Sequence, residues 1–140
     1  MKKGVTFIEL LLVISIVAII GAATSPFISR FVLQNNHTNA INRLISSIRK
    51  AQNYAMDGKN DEVWGVCLSS GNIRLFSGSC DTPSFSEEFD VPESVSITGL
   101  NETTFSKLRG EPSSVLNISM NSDIDSVNLV VNSAGGMEIN

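Results

Sequence analysis

Met1-Lys2-Lys3-Gly4-Val5-Thr6-Phe7-Ile8-Glu9 opens the chain, and an almost unbroken apolar run from Leu10 to Ala23 follows it. Between Val5 and Ala23 only Thr6, Glu9, Ser15 and Gly21 interrupt the hydrophobic residues. As a helix rising ~1.5 Å per residue this stretch is about 28 Å long, close to the hydrocarbon thickness of a bilayer. Lys2 and Lys3 precede it and no basic residue follows until Arg30. The positive-inside rule therefore sets the N-terminus in the cytoplasm and the rest of the chain outside. Glu9 is the anomaly, because a carboxylate one turn into a membrane-length helix is costly unless something pairs with it.

A secretory signal peptide is one reading of these residues. It would have a basic n-region, an h-region from Leu10 to Ile20, and Gly21-Ala22-Ala23 as the cleavage site. Two features count against it. Glu9 sits where an h-region is apolar, and the helical pattern runs past the cut. Phe27, Ile28, Phe31 and Val32 continue it, and Ile41, Leu44, Ile45, Ile48 and Ala51 resume a stripe spaced i, i+3, i+4, i+7. One long helix explains the whole stretch, apolar all round in its first half and on one face in its second. Pro26 lies at the transition. Its ring and missing N–H deprive the Ala22 carbonyl of a helical partner, so a kink or a helix end is expected there. Asp57-Gly58 is the expected helix end, with Arg49 and Lys50 near the negative pole of the dipole.

The basic leader, Gly4, Glu9 five residues after it, and the apolar run together resemble the N-terminus of type IV prepilins and type II secretion pseudopilins. The resemblance implies that a prepilin peptidase cuts between Gly4 and Val5 and that Val5 is then N-methylated. It also implies a single-pass protein of the bacterial inner membrane that later enters a pilus or pseudopilus, with other pilin or pseudopilin subunits as partners. The domain organisation expected is a cleaved leader (1–4), a transmembrane and filament-core helix (5–28), an amphipathic helix (29–57) and a β-rich outer domain (58–140). Glu9 has three readings: a first-turn acid favoured by the helix dipole, a partner of the freed Val5 amine in its own chain, or, as the resemblance implies, a partner of that amine on a neighbouring subunit. The resemblance adds that pilin helices bend or unwind near a proline placed like Pro26.

Overall net charge is −4, but the two parts of the chain differ. Residues 1–55 hold six Lys/Arg against Glu9 alone, and residues 56–140 hold four against thirteen acids. Phosphate contacts need clustered Lys/Arg, so no nucleic acid is expected on the acidic part, and a DNA-handling competence pilin is disfavoured.

Beyond Gly58 the sequence reads as short strands. Val63–Leu68 sets Trp64, Val66 and Leu68 on one face, and Ile73–Ser77 sets Ile73 and Leu75 together across the turn residues Ser69 to Asn72. Further strands are expected at 95–98, 115–120, 127–132 and 137–140, with a hairpin loop at Ser133–Gly136. Residues 79–93, with Pro83, Pro92 and five acids, read as loop. The fold class expected is α+β: a long N-terminal helix whose amphipathic half packs on one small antiparallel sheet of four to six strands. The segments GVCLSSGNIRLF and VNLVVNSAGGMEIN resemble the two hairpins of minor pseudopilins of the protein H kind.

The remaining candidates for chemistry are few. Cys67 and Cys80 are permitted a disulfide outside the cytoplasm, with two free thiols as the alternative. A hairpin register that sets Cys67 opposite Leu75 or Phe76 requires the chain after Ser77 to fold back. His37, in a polar helical stretch, is expected on the solvated face. Glu87, Glu88 and Asp90 are expected in a loop without a pocket. Asn121-Ser122-Asp123-Ile124-Asp125 has oxygen donors at alternate positions, as calcium loops do, but lacks the length, Gly and closing Glu of an EF-hand. Major pseudopilins of the resembled family bind calcium in a C-terminal loop. Nothing in these five residues fixes that motif, and a polar turn is the plainer reading. No metal or other cofactor and no enzymatic activity are expected. The function expected from the resemblance is that of a structural filament subunit of the minor kind. The alternative is a membrane-anchored outer domain that binds a partner without polymerising.

Overall fold

The computed structural model describes residues 4–140, the side chains of 23–26 excepted. Helix α1 spans Phe7–Met56. A short 3₁₀ turn (Lys59–Asp61) follows, then eight strands: β1 (Trp64–Ser69), β2 (Asn72–Ser77), β3 (Phe85–Phe89), β4 (Val95–Thr98), β5 (Thr103–Phe105), β6 (Leu116–Ser122), β7 (Ser126–Val131) and β8 (Met137–Ile139). The chain divides into two compact units, one reaching Val32 and the other running from Leu33 to Asn140.

The helix ends where the sequence supplies a glycine. Gly58 has φ +59, and the amides of Asp57 and Gly58 bond back to Asn53 and Ala55 at 2.9 and 3.1 Å. A left-handed glycine at this position satisfies the last helical carbonyls without a Cβ clash. The Trp64 indole N–H then donates to the Lys59 carbonyl at 2.9 Å, tying the 3₁₀ turn to the first strand.

The strands form two antiparallel sheets, not the single sheet expected from sequence. One has the order β3-β2-β1-β5 and the other β4-β6-β7-β8. β1 and β2 are joined by Ser70-Gly71, at φ +51 and +83, between the paired Ser69 and Asn72. Positive φ at both central residues is the type I′ pattern, whose twist matches that of a hairpin. β6, β7 and β8 pair as successive hairpins, and β4 adds to the free edge of β6.

One core lies among the second half of α1 and both sheets. The helix contributes Ala40, Leu44, Ile48, Ala51 and Ala55; the first sheet Trp64, Val66, Ile73, Leu75 and Phe105; the second Val95, Ile97, Leu116, Ile118, Met120, Leu129 and Val131. On the helix face the bulky Leu44 and Ile48 lie between Ala40 on one side and Ala51 and Ala55 on the other, all fully buried. Near its end α1 is also tied by polar contacts, since the Gln52 amide donates to the carbonyls of Gly110 and Gly135 at 3.3 and 2.8 Å.

Two strands were not expected. β3 lies inside the stretch read as loop, and β5 is only three residues long. β3 is an edge strand, on which charges suppress pairing with other chains. Its acids are partnered: Glu87 with Lys50 of α1, and Glu88 with Arg74 of β2 at 2.6 Å. Glu87 and Glu88 thus sit on a strand beside basic residues, contrary to the unpartnered loop expected for them.

Candidate functional site

The segment Gly4-Val5-Thr6 is non-helical and directly precedes α1. The Gly4–Val5 bond therefore lies in irregular backbone, with Val5 72% exposed. Most of the expected leader, residues 1–3, lies outside the described residues.

Thr6 begins the helix. Its carbonyl accepts the first helical bond, from the Leu10 amide at 3.2 Å. Its hydroxyl oxygen accepts from the Glu9 amide at 3.4 Å, while one Glu9 carboxylate oxygen accepts from the Thr6 amide at 3.4 Å. The Thr6 hydroxyl lies 3.5 Å from the same carboxylate oxygen. This reciprocal arrangement is a capping box, Thr at the N-cap and Glu three residues on. The sequence signal for it is Thr6-Phe7-Ile8-Glu9, and none of the three readings expected for Glu9 included this local partner. The bonds are long, and they engage one oxygen of a carboxylate that has room for several donors. Glu9 remains exposed and free to take a further partner.

Beyond Thr6 the described residues flanking Glu9 on α1 are apolar. Phe7, Ile8 and Leu10 are 80%, 70% and 54% exposed, and the pattern continues through Ile20 and from Phe27 to Val32. The most apolar part of α1 is long enough to cross a membrane and has no residue buried within the chain. Ser15 does not break it, because its hydroxyl donates to the Leu11 carbonyl at 2.7 Å. The kink expected at Pro26 falls on residues 23–26, whose side chains lie outside the described residues.

Cys67 and Cys80 are joined by a disulfide, with their Cα atoms 6.3 Å apart. The hairpin register sets Cys67 opposite Arg74, not the Leu75 or Phe76 expected, because the loop holds two residues. After Ser77 the chain reverses at Gly78, φ +88, and returns over the outer face of the first sheet. There the two half-cystines and Phe76 form a second small core. Arg74 donates to the Cys80 carbonyl at 3.1 Å, and Glu102 accepts from its amide at 3.0 Å. Gly65 lies beneath Phe76; a Cβ there would sit 2.6 Å from the ring and 2.5 Å from the Thr103 carbonyl.

His37 is the clearest correction. Expected in solvent, it is 3% exposed, with Nδ1 2.9 Å from the Ser122 hydroxyl and Nε2 without a hydrogen-bond partner. It occupies the next place on the helical stripe, seven residues before Leu44, and is covered by the β6–β7 turn. That turn contains Asn121–Asp125 and is closed by its own polar groups. The Ser122 hydroxyl donates to the Asp125 carbonyl at 3.0 Å and accepts from the Asp125 amide at 3.2 Å. Among the described residues no group of three or more His, Cys, Asp or Glu is placed to hold a metal ion.

The chain's distinctive surface is an apolar helix carrying one capped carboxylate near its start. Compared with models of protein families, with curated proteins and with solved structures, the chain matches none of them.

Proposed function

We propose that the chain is a non-enzymatic structural subunit of the prepilin-like kind, serving a type II secretion pseudopilus or a type IV pilus. In this reading the prepilin peptidase cuts between Gly4 and Val5, Val5 is N-methylated, and subunits leave the inner membrane to bundle through their N-terminal helices. The observation that carries it is the exposed apolar stretch of α1 from Phe7 to Ile20, interrupted near its start by the single carboxylate of Glu9.

The physical logic follows from that charge. Exchanging lipid for neighbouring helices changes the polarity around Leu10 to Ile20 very little, so apolar contact alone selects no register. Glu9 supplies one. A carboxylate buried without a partner costs several kcal/mol, so helices that set it against an ammonium are favoured over near misses. Cleavage after Gly4 creates such an ammonium at Val5. The Thr6 cap holds the carboxylate until the neighbour arrives, and an exposed bond in irregular backbone suits the peptidase.

Glu9→Leu tests the reading. The variant should be inserted and processed like the parent and then fail to enter filaments with it. Normal incorporation of a processed Glu9→Leu chain would reject the pairing and favour a plain anchored domain that does not polymerise.

A further inference from the structure

Residues 106–110 form a tight turn near the C-terminal end of α1. The Ser106 carbonyl accepts from the Gly110 amide at 2.9 Å, the Ser106 amide donates to the Glu111 carbonyl at 2.8 Å, and the Ser106 hydroxyl accepts from the Glu111 amide at 3.0 Å. Leu108 stands at its tip, 85% exposed and at φ +70. Glycine and asparagine adopt that backbone region readily; leucine does so only under constraint. Leu108 joins neither core cluster. A strained apolar residue displayed on a firmly bonded turn points to a contact outside the chain. Beside it Arg109 is 77% exposed and pairs only loosely with Glu111, at 3.5 Å, whereas Lys107 is held by Asp61 at 2.5 Å.

An open cleft of about 440 Å³ lies between the β1–β2 turn and residues 90–95. Val91, Pro92 and Val95 give it apolar walls, and Asp90 and Glu93 stand at its rim. Its shape is fixed by the Val91 amide, which donates to Asn72 Oδ1 at 3.1 Å, and by the Val95 amide, which donates to the Pro92 carbonyl at 2.9 Å. Neither rim carboxylate has an ion pair among the described residues. The neighbouring cation, Arg43, donates to the Asp90 backbone carbonyl.

The two features lie at different levels of α1. The cleft segment bonds to the helix at Asn36 and Arg43, and the turn does so at Gln52, with Gly110 against Met56. From Arg43 to Met56 the helix advances about 20 Å.

We infer that Leu108 and Arg109 of one copy dock into the Val91–Pro92–Val95 cleft of a second copy. Leu108 enters the apolar walls and Arg109 meets Asp90 and Glu93. Knob and cleft are different surfaces, so the contact is head-to-tail and repeats into a chain instead of closing as a pair. It extends the filament reading, on which it rests only for bringing copies side by side, by naming a contact between folded domains.

Cysteine cross-linking of the full-length protein in membranes tests it. A chain carrying both Leu108→Cys and Pro92→Cys should give, on mild oxidation, a ladder of dimers, trimers and larger species that collapses on reduction. Mixing the two single variants should give dimers, and neither alone should. Arg109→Glu should weaken the ladder by about fivefold or more, and Glu93→Arg in the same chain should restore it. Absence of cross-links in the double variant, or equal dimer from Leu108→Cys alone, overturns the inference. Glu9→Leu run in parallel separates the two proposals. Loss of filaments in Glu9→Leu without any ladder in the cysteine pair leaves the helix reading intact and removes this contact. A ladder in the cysteine pair together with normal filament entry of Glu9→Leu keeps the contact and removes the helix reading.

Discussion

The first and second halves of α1 are built from the same aliphatic residues and meet opposite fates. Ile8, Leu12 and Ile16 are 70%, 58% and 48% exposed, whereas Leu44 and Ile48 are fully buried. From Ala40 onward the chain provides its own cover, two sheets whose inward side chains pack against Ala40, Leu44, Ile48, Ala51 and Ala55. Among the described residues before Val32 none is buried by the chain. An apolar surface of that extent is unstable in water, and the stretch is long and apolar enough to cross a membrane; in the reading proposed above, lipid and then neighbouring helices cover it. One half of the helix is stabilised by folding and the other by company.

Truncating one residue in each half breaks the comparison open. Leu44→Ala should destabilise the domain by about 2–5 kcal/mol, because it removes buried methyl groups and leaves a cavity in a fully packed site. Leu12→Ala should shift the same thermal transition by no more than about 0.5 kcal/mol. Near-ultraviolet dichroism of Trp64 in detergent-solubilised protein reads both. Equal effects would mean that the two halves share a core after all.

The disulfide comes next. Reducing Cys67–Cys80 opens a loop with a sequence separation of 13 residues. On the loop-entropy estimate this lowers domain stability by about 3 kcal/mol. Thermal melts with and without reductant should show the drop, and a Cys67→Ser/Cys80→Ser chain should match the reduced parent and ignore the reductant. In the exposed half the largest single local effect should come from Thr6. Thr6→Ala removes the cap and should cost about 1 kcal/mol of local helix stability. Hydrogen exchange should then speed up at the amides of residues 7–10 and leave those of 44–55 unchanged.

The smallest effect belongs to Asp61. Its hydrogen bond and charge interaction with Lys107 hold the carboxyl below its ordinary value of 3.8. A depressed carboxylate contributes stability above its unfolded pKa and loses it as the pH falls through the folded value. The pair is on the surface and screened. Asp61→Asn should therefore lower the melting temperature slightly at neutral pH, and the gap should close in acid well below pH 3.8.

Much of this contrast could be read from the residues. Period-3.6 spacing marked the buried face from Ile41 to Ala51, and Asp57-Gly58 marked its end, because a left-handed glycine has few rivals there. β1, β2 and β4 showed through their alternation, and β6 to β8 were found to within two residues. β3 was hidden because Phe85-Ser86-Glu87-Glu88-Phe89 places a charge on each face, and only tertiary partners, Lys50 and Arg74, make that acceptable. The division into two sheets depends on which strand joins which edge, a non-local choice that alternation does not encode. His37 was misplaced because its polarity outweighed its position, although counting back seven residues from Leu44 put it on the buried stripe. At the N-terminus, Thr6 and Glu9 carried a capping box in plain sequence, and the attention drawn by the charge obscured its local partner.

The central claim is that a carboxylate in apolar surroundings is tolerated because an amine freed at Val5 of an adjoining copy neutralises it. Determining the N-terminus of the mature protein, by sequencing and mass, tests this most directly. The account predicts a chain that begins at Val5 and carries one methyl group on its amine. A chain that retains Met1 in cells possessing the peptidase, or one that begins at Thr24, would contradict it.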